Sequence, residues 1–280
     1  MPNLESHDIT PPSGALASRL LHGKPPSTQK GPVTFRLLSY NIQVGIASSR
    51  YHHYLTGSWK HLLPHPTSFE NLDSVAGLVT DFDMVAVQEA DAGSFRSYFT
   101  NQVEYLSSRG HFPFWYHQTN RNMGKFAQHS MGLLSKQRPA DIIEHKLPGI
   151  IPGRGVMEAR YHVEGTQLTL LLVHLGLSKR ARFRQLDYIS ELVNNDENVV
   201  VMGDFNCQAA SQEMERLINR THLTEPVEKM LTFPSWRPVR SLDHILVSNP
   251  IQVKKIQVLK QSTSDHLPIA VDISVRSSHT

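Results

Sequence analysis

The sequence predicts an α/β protein in which two β-sheets pack together with helices outside. Three observations lead there: strand-like runs outnumber helix-like ones, several strands follow one another with no helix between, and many strands are apolar along their whole length. Successive strands without an intervening helix argue against a strict strand–helix alternation. Unbroken runs of Val, Leu and Ile suit strands buried on both faces.

Residues 1–31 form a polar leader with Pro11-Pro12, Pro25-Pro26 and scattered serines, expected to be mobile. No repeat or long linker divides 32–280, which reads as one catalytic domain. Its first strand spans 34–41. Leu72, Val75, Ala76 and Val79 then recur at helical spacing within 69–81 and feed a strand ending at Glu89. Phe95, Phe99, Val103 and Leu106 give 93–108 a similar period and predict a second helix. Strands follow at 112–117, 130–135, 158–163 and 168–174. A helix over 178–194 opens on Ser178, a capping residue type, and sets Phe183, Leu186, Ile189 and Val193 on one side. A strand at 198–203, a helix at 211–219 and strands at 244–248, 253–259 and 267–273 complete the order.

The 280 residues, 39% hydrophobic and 19% charged, describe an ordinary globular chain and exclude a disordered or fibrous one. No apolar run of about 18 residues appears, so no membrane-spanning helix is expected. The first thirty residues lack the apolar core of a secretory signal, and a cytoplasmic location is the expectation. The single cysteine, Cys207, excludes an intramolecular disulfide and fits a reducing compartment. With no base beside it in sequence, it reads as a small packing residue. A net charge of +3 and a pI near 8.9 are compatible with a phosphate-bearing substrate. His52, His53, His61 and His65 match no tetrahedral zinc spacing and read as loop or core residues, and Trp59, Trp115 and Trp236 as packing residues.

Chemistry gathers at the strand ends. The run 199–203 stops at Asp204, with Asn206 just beyond; 36–40 stops at Asn41, 84–88 at Glu89 and 170–173 at His174, while Ser264 leads into Asp265-His266. Each has a bland alternative: Asn41 as a turn cap, Glu89 as a loop start, Asp204 and Asn206 as Asx-turns. Five such endings together argue for one site assembled from distant segments.

Ser39-Tyr40-Asn41-Ile42, Val87-Gln88-Glu89, Val173-His174-Leu175, Gly203-Asp204-Phe205-Asn206, Leu242-Asp243-His244-Ile245 and Ser264-Asp265-His266 occur in that order. The series resembles the motifs of the endonuclease/exonuclease/phosphatase superfamily, over roughly 35–273. That resemblance implies a four-layer α/β/β/α sandwich of two mixed, mainly antiparallel sheets. It also implies divalent-metal-dependent hydrolysis of a phosphoester, with the site at one edge of both sheets. Glu89 and Asn41 would supply hard oxygen ligands for Mg²⁺ or Mn²⁺, with Asp265 as a further metal-site carboxylate. Asp204 would orient or deprotonate the attacking water, and Asn206 would hold water or a phosphoryl oxygen. Asp243 would fix His266 as a charged imidazolium, and His174 would donate to a phosphate oxygen. His244 is left structural.

Other residues stay open between two readings. Asn120, Arg121, Asn122 and Lys125 line a substrate cleft or a solvated loop. Arg154, between Gly153 and Gly155, binds phosphate or marks a turn. Lys179, Arg180, Arg182 and Arg184 form a basic face near the site or a solvent-facing turn. The segment 232–245 resembles the subgroup related to the phosphodiesterase-like domain of GPI-anchor remodelling proteins, which favours a small or lipid-linked phosphoester. A DNA or RNA nuclease is the alternative, nucleic acid then being the partner. A catalytically silent binding module is the remote one. The oligomeric state is not legible.

Overall fold

The computed structural model describes residues 32–45, 68–122, 124–149, 153–227, 230–261 and 263–276. The leader, the four histidines at 52–65 and Trp59 lie outside the described residues.

Two six-stranded sheets carry the fold. One consists of β1 (Val33–Asn41), β2 (Met84–Asp91), β3 (Phe114–Asn122), β4 (Gln128–Ser135), β11 (Gln252–Val258) and β12 (Ile269–Val275), in the order β11-β12-β1-β2-β4-β3. The other consists of β5 (Asp141–Lys146), β6 (Gly155–Val163), β7 (Thr166–His174), β8 (Val199–Asp204), β9 (Leu223–Thr224) and β10 (Asp243–Ser248), in the order β5-β6-β7-β8-β10-β9. Both share one neighbour pattern. A central parallel pair, β1 with β2 or β7 with β8, is flanked on each side by two antiparallel strands.

Side chains alternate between the faces of a strand, which sorts the apolar runs into three cores. Leu37, Met84 and Leu133 of the first sheet meet Leu170, Leu172 and Met202 of the second in a central core. Leu38, Val85 and Val87 turn the other way, against Leu72, Val75 and Val79 of α1 (Ser68–Val79) and Val103 and Leu106 of α2 (Gln102–Arg109). Leu171, Val201 and Leu246 likewise pack on Leu186, Ile189 and Val193 of α3 (Lys179–Val193) and on Met214 and Leu217 of α4 (Gln212–Arg220). The layers are therefore α/β/β/α, and continuous apolar runs are what strands covered on both faces require. Leu72, Val75 and Val79 are each at most 1% exposed, and such burial contributes about 1.5–3 kcal/mol per side chain to docking α1.

Three expectations are corrected. The helix read over 93–108 begins only at Gln102, because Asp91 captures the segment before it. Its carboxylate accepts from the backbone N–H of Gly93 and Ser94 and from the hydroxyls of Ser94 and Ser97, around a 3-10 turn at Phe95–Ser97. Asn101 then caps α2, accepting from the N–H groups of Val103 and Glu104. Phe95 and Phe99, 43% and 63% exposed, had helical spacing without a core to face. Second, β3 continues past His117, so Asn120 and Arg121 stand on a strand rather than in a loop. Third, β5 and the two-residue β9 were not anticipated; both lie at sheet edges. Among the described residues, no helix is long and apolar enough to cross a membrane.

Candidate active site

The C-terminal ends of the two parallel pairs meet at one rim. In register, Asn41 lies beside Gln88 and His174 beside Asp204, which pairs on its other side with Asp243. Across the two sheets, Asn41 Nδ2 donates to Asp204 Oδ2 at 3.1 Å, and His174 Nε2 lies 3.5 Å from Glu89 Oε1. Two backbone features set these positions. Glu89 has φ +54° within a register shift between Val87 and Ala90, a bulge that re-aims its side chain. Gly203 has no room for a side chain: a Cβ there would stand 1.9 Å from the carbonyl oxygen of Val173 on β7.

Asp204 is held from several directions. Its Oδ1 accepts from the Asn206 N–H at 2.9 Å, and its Oδ2 from Asn206 Nδ2 at 3.3 Å. Asn206 Nδ2 also donates to the Leu175 carbonyl. Burial pushes the Asp204 carboxyl up to about 7; the charges of Asp243 and Glu89 reinforce this, while His266 opposes it. A carboxylate in that range is poised to exchange a proton near neutrality.

His266 Nδ1 lies 2.8 Å from Asp243 Oδ2. An ionised carboxylate only accepts, so the ring nitrogen donates. Burial lowers the imidazole's proton affinity, but the charge of Asp243 and this bond outweigh it, and the net shift is well above the ordinary histidine value. Thr232 donates its hydroxyl to the same Asp243 oxygen at 2.5 Å. Phe233 packs on the His266 ring, with centroids 5.0 Å apart.

His174 is opposite in character. Burial and the nearby Arg154, His266 and His129 charges push it well below the ordinary value, so it is neutral. Arg154 Nη1 lies 3.2 Å from His174 Nδ1. A guanidinium only donates, so Nδ1 holds the lone pair and Nε2 carries the proton. Among the described residues that Nε2 has no hydrogen-bond partner, and it faces Glu89 Oε1 and Asp204 Oδ2 at 3.5 and 3.6 Å.

Glu89, His174 and Asp204 bring one ligand atom each within 4.8 Å of one another, as do Asp204, Asp243 and His266. With both histidines protonated on the nitrogens concerned, the donors left are carboxylate oxygens. Crowded, partly buried carboxylates offering hard oxygens fit a divalent cation of the Mg²⁺ class. Asn41 presents its amide nitrogen to Asp204, because its Oδ1 accepts from the Gln43 N–H at 3.2 Å. Asp265 stands outside both triplets. Burial pushes it up to about 6, against His266 and with Glu89, and Ser264 Oγ donates to it at 3.3 Å.

A cavity of about 720 Å³ reaches Glu89, with Arg121, His129, Gly153, Arg154 and the start of α3 among its walls. Arg121 and Arg154 thus sit beside the cluster. Asn120 does not line the cavity; its Oδ1 rests against the Gly155 backbone. The basic turn divides: Arg180 and Arg184 line the cavity, whereas Arg182 pairs with buried Glu213 at 2.7 Å. Cys207 is buried and its thiol is pushed up to about 12 by burial, as a packing residue requires. His244 is fully buried between Glu225 Oε1 and the Cys207 carbonyl. Sequence reasoning missed Thr232 and Asp91. Thr232 carries no local signal, whereas Asp91 stands two residues beyond Glu89 and is paired with buried Arg96.

The model of the Endonuclease/Exonuclease/phosphatase family matches residues 38–266, and the chain belongs to that family, which makes it a metal-dependent phosphoesterase. No curated protein matches the sequence. Among solved structures, the chain is similar to an endonuclease/exonuclease/phosphatase family protein from Bacteroides thetaiotaomicron, at 17% identity and TM-score 0.65, over 89% of this chain and 99% of that one. A mannosyl-6-phosphatase from the same organism gives 17% identity and TM-score 0.63, over 85% and 99%. The human nocturnin catalytic domain with bound sulfate gives 18% and 0.61, over 87% and 93%. At these identities the likeness is one of fold.

Proposed function

We propose that residues 32–280 form a catalytic domain that hydrolyses phosphodiester or phosphomonoester bonds in small or lipid-linked phosphoesters, using Mg²⁺ or Mn²⁺. The observation that carries this reading is the cavity of about 720 Å³ ending on Glu89 of the carboxylate cluster. That volume suits a discrete ligand of small-molecule size. Glu89 would hold the ion, with Asp265 and the remaining lone pair of Asn41 Oδ1. When bound, such an ion neutralises phosphate charge and stabilises the leaving oxygen.

The chain's own groups do the rest. Asp204, fixed by Asn41 and Asn206 and titrating at about 7, accepts the proton of the attacking water. The His266 imidazolium, sustained by Asp243, stabilises negative charge developing on the phosphoryl oxygens. Neutral His174 directs its Nε2–H toward the same space, with Arg154 holding its tautomer from behind. Arg121 and Arg154 add positive charge where the substrate phosphate enters.

The nuclease alternative draws on the net charge of +3 and the arginines at the cavity. The lipid-linked variant draws on the segment 232–245, and a reducing, cytoplasmic setting on the lone cysteine. The test is hydrolysis of bis-p-nitrophenyl phosphate, lost with EDTA, restored by Mg²⁺ or Mn²⁺ and absent in Asp204→Asn. Inertness with every metal would leave a silent binding module instead. Plasmid nicking, single-strand digestion and phospholipid cleavage on one preparation separate the substrate classes.

A further inference from the structure

Several described arginines are paired with a carboxylate. Arg96 pairs with Asp91, Arg160 with Glu158, Arg182 with Glu213, and Arg216 and Arg220 with Asp187. The cavity beside the cluster instead gathers several without such a partner into one space. Arg121, Arg180 and Arg184 all line it, and among the described residues none of the three forms an ion pair with a carboxylate. Arg180 and Arg184 are one helical turn apart on α3, so they share a face, whereas Arg182 points elsewhere to reach Glu213. Gly149, Gly176 and Ala181 are among the small residues that line the cavity with them.

Arg154 is occupied with His174 at the end of the cavity nearest the cluster. With Arg121 and Arg154 serving the attacked phosphate, Arg180 and Arg184 are further cations in the same cavity. Guanidinium groups are planar donors suited to bidentate phosphate contacts. We propose that the Arg180–Arg184 face is a second anion subsite, which selects small substrates bearing a further phosphate group besides the one attacked. This rests on the phosphoesterase reading and names its substrate class: a compact bisphosphate rather than a nucleic-acid chain.

The test is titration calorimetry of the full chain with fructose 6-phosphate and with fructose 1,6-bisphosphate, probes that differ by one phosphate on the same sugar. The bisphosphate is expected to bind at least about tenfold more tightly. The Arg180→Gln/Arg184→Gln double variant should bring the two affinities together. Lys254→Gln/Lys255→Gln, which removes equal charge from the distant β11, should preserve the ratio, and thermal melting shows that each variant is folded. Equal binding of the two probes by the native chain overturns the proposal, as does a ratio that survives in the arginine variant or falls equally in the lysine variant. Tighter binding of a single-stranded oligonucleotide than of the bisphosphate, weakened by the same arginine changes, overturns it in favour of a nucleic-acid ligand. Calorimetry does not require turnover, so failure of the phosphoesterase reading appears separately, as absent metal-dependent hydrolysis.

Discussion

Replacing Gly203 by alanine perturbs the site through backbone packing alone, without touching a polar group. The added Cβ would lie 1.9 Å from the Val173 carbonyl oxygen, where ordinary contact begins at 3.4 Å, so β8 must recede from β7 by about 1.5 Å. Gly203 also has φ +151°, a conformation that an L side chain rarely adopts. Overpacking costs about 1–3 kcal/mol and such a backbone about 1–3 kcal/mol more. Their combination, roughly 2–6 kcal/mol, lowers the melting temperature of a domain this size by roughly 5–20 °C. Asp204 follows directly and is in register with His174, so any surviving fold carries a displaced carboxylate. A misplacement of about 1 Å costs on the order of 100-fold in rate. The assay combines thermal melting with hydrolysis of bis-p-nitrophenyl phosphate. Gly77→Ala is the control: Gly77 sits in α1 with nothing within 4 Å of its Cβ position, and that change should stabilise by about 0.5–1 kcal/mol. A Gly203→Ala protein that melts with the native chain and turns over at its rate would refute the reasoning.

Other expectations follow from the same geometry. Glu89→Ala should raise the Mg²⁺ or Mn²⁺ concentration needed for half-maximal activity, and an unchanged metal titration would remove Glu89 as a ligand. Asp243→Asn removes the charge that sustains the His266 imidazolium; activity that needs this cation is lost as pH rises through its pKa, so the alkaline limb should move to lower pH. An unshifted limb in the pH–rate profile would discard that role. Asp91→Asn leaves the Arg96 charge buried without its counter-ion, a loss of about 3–5 kcal/mol by urea denaturation. Burial alone would raise the Asp91 carboxyl, but Arg96, Ser94 and Ser97 hold it below the usual range. Its contribution is therefore full above about pH 4 and is lost as pH falls through the folded-state value, so native and variant stabilities should converge in acid.

The strand ends were legible because a strand buried on both faces must be apolar until it leaves the core. Asn41, His174 and Asp204 each follow such a run, and in the structure each terminates its strand. The edge strand β5 gave no such signal: it reads Asp-Ile-Ile-Glu-His-Lys, with no position fully buried. The segment 93–101 misled because a buried carboxylate, not apolar periodicity, decides its path. Arg180, Arg182 and Arg184 formed one basic turn in sequence, yet the two four residues apart face the cavity while the middle one crosses to α4. Their spacing contained that division; the location of Glu213 did not. Thr232 reaches Asp243 through a contact eleven residues away that no periodicity announces.

Asn41 and Glu89 come from one sheet, His174 and Asp204 from the other, and only 3.1 Å separates Asn41 Nδ2 from Asp204 Oδ2. Reactivity is thereby a gauge of how the two halves of the sandwich are aligned. Lubricating their shared seam, where Met84 and Leu133 meet Leu172 and Met202, would let them shear by fractions of an ångström, with circular dichroism intact and turnover dimmed. Selection for rate then reaches deep hydrophobic positions that never meet the substrate.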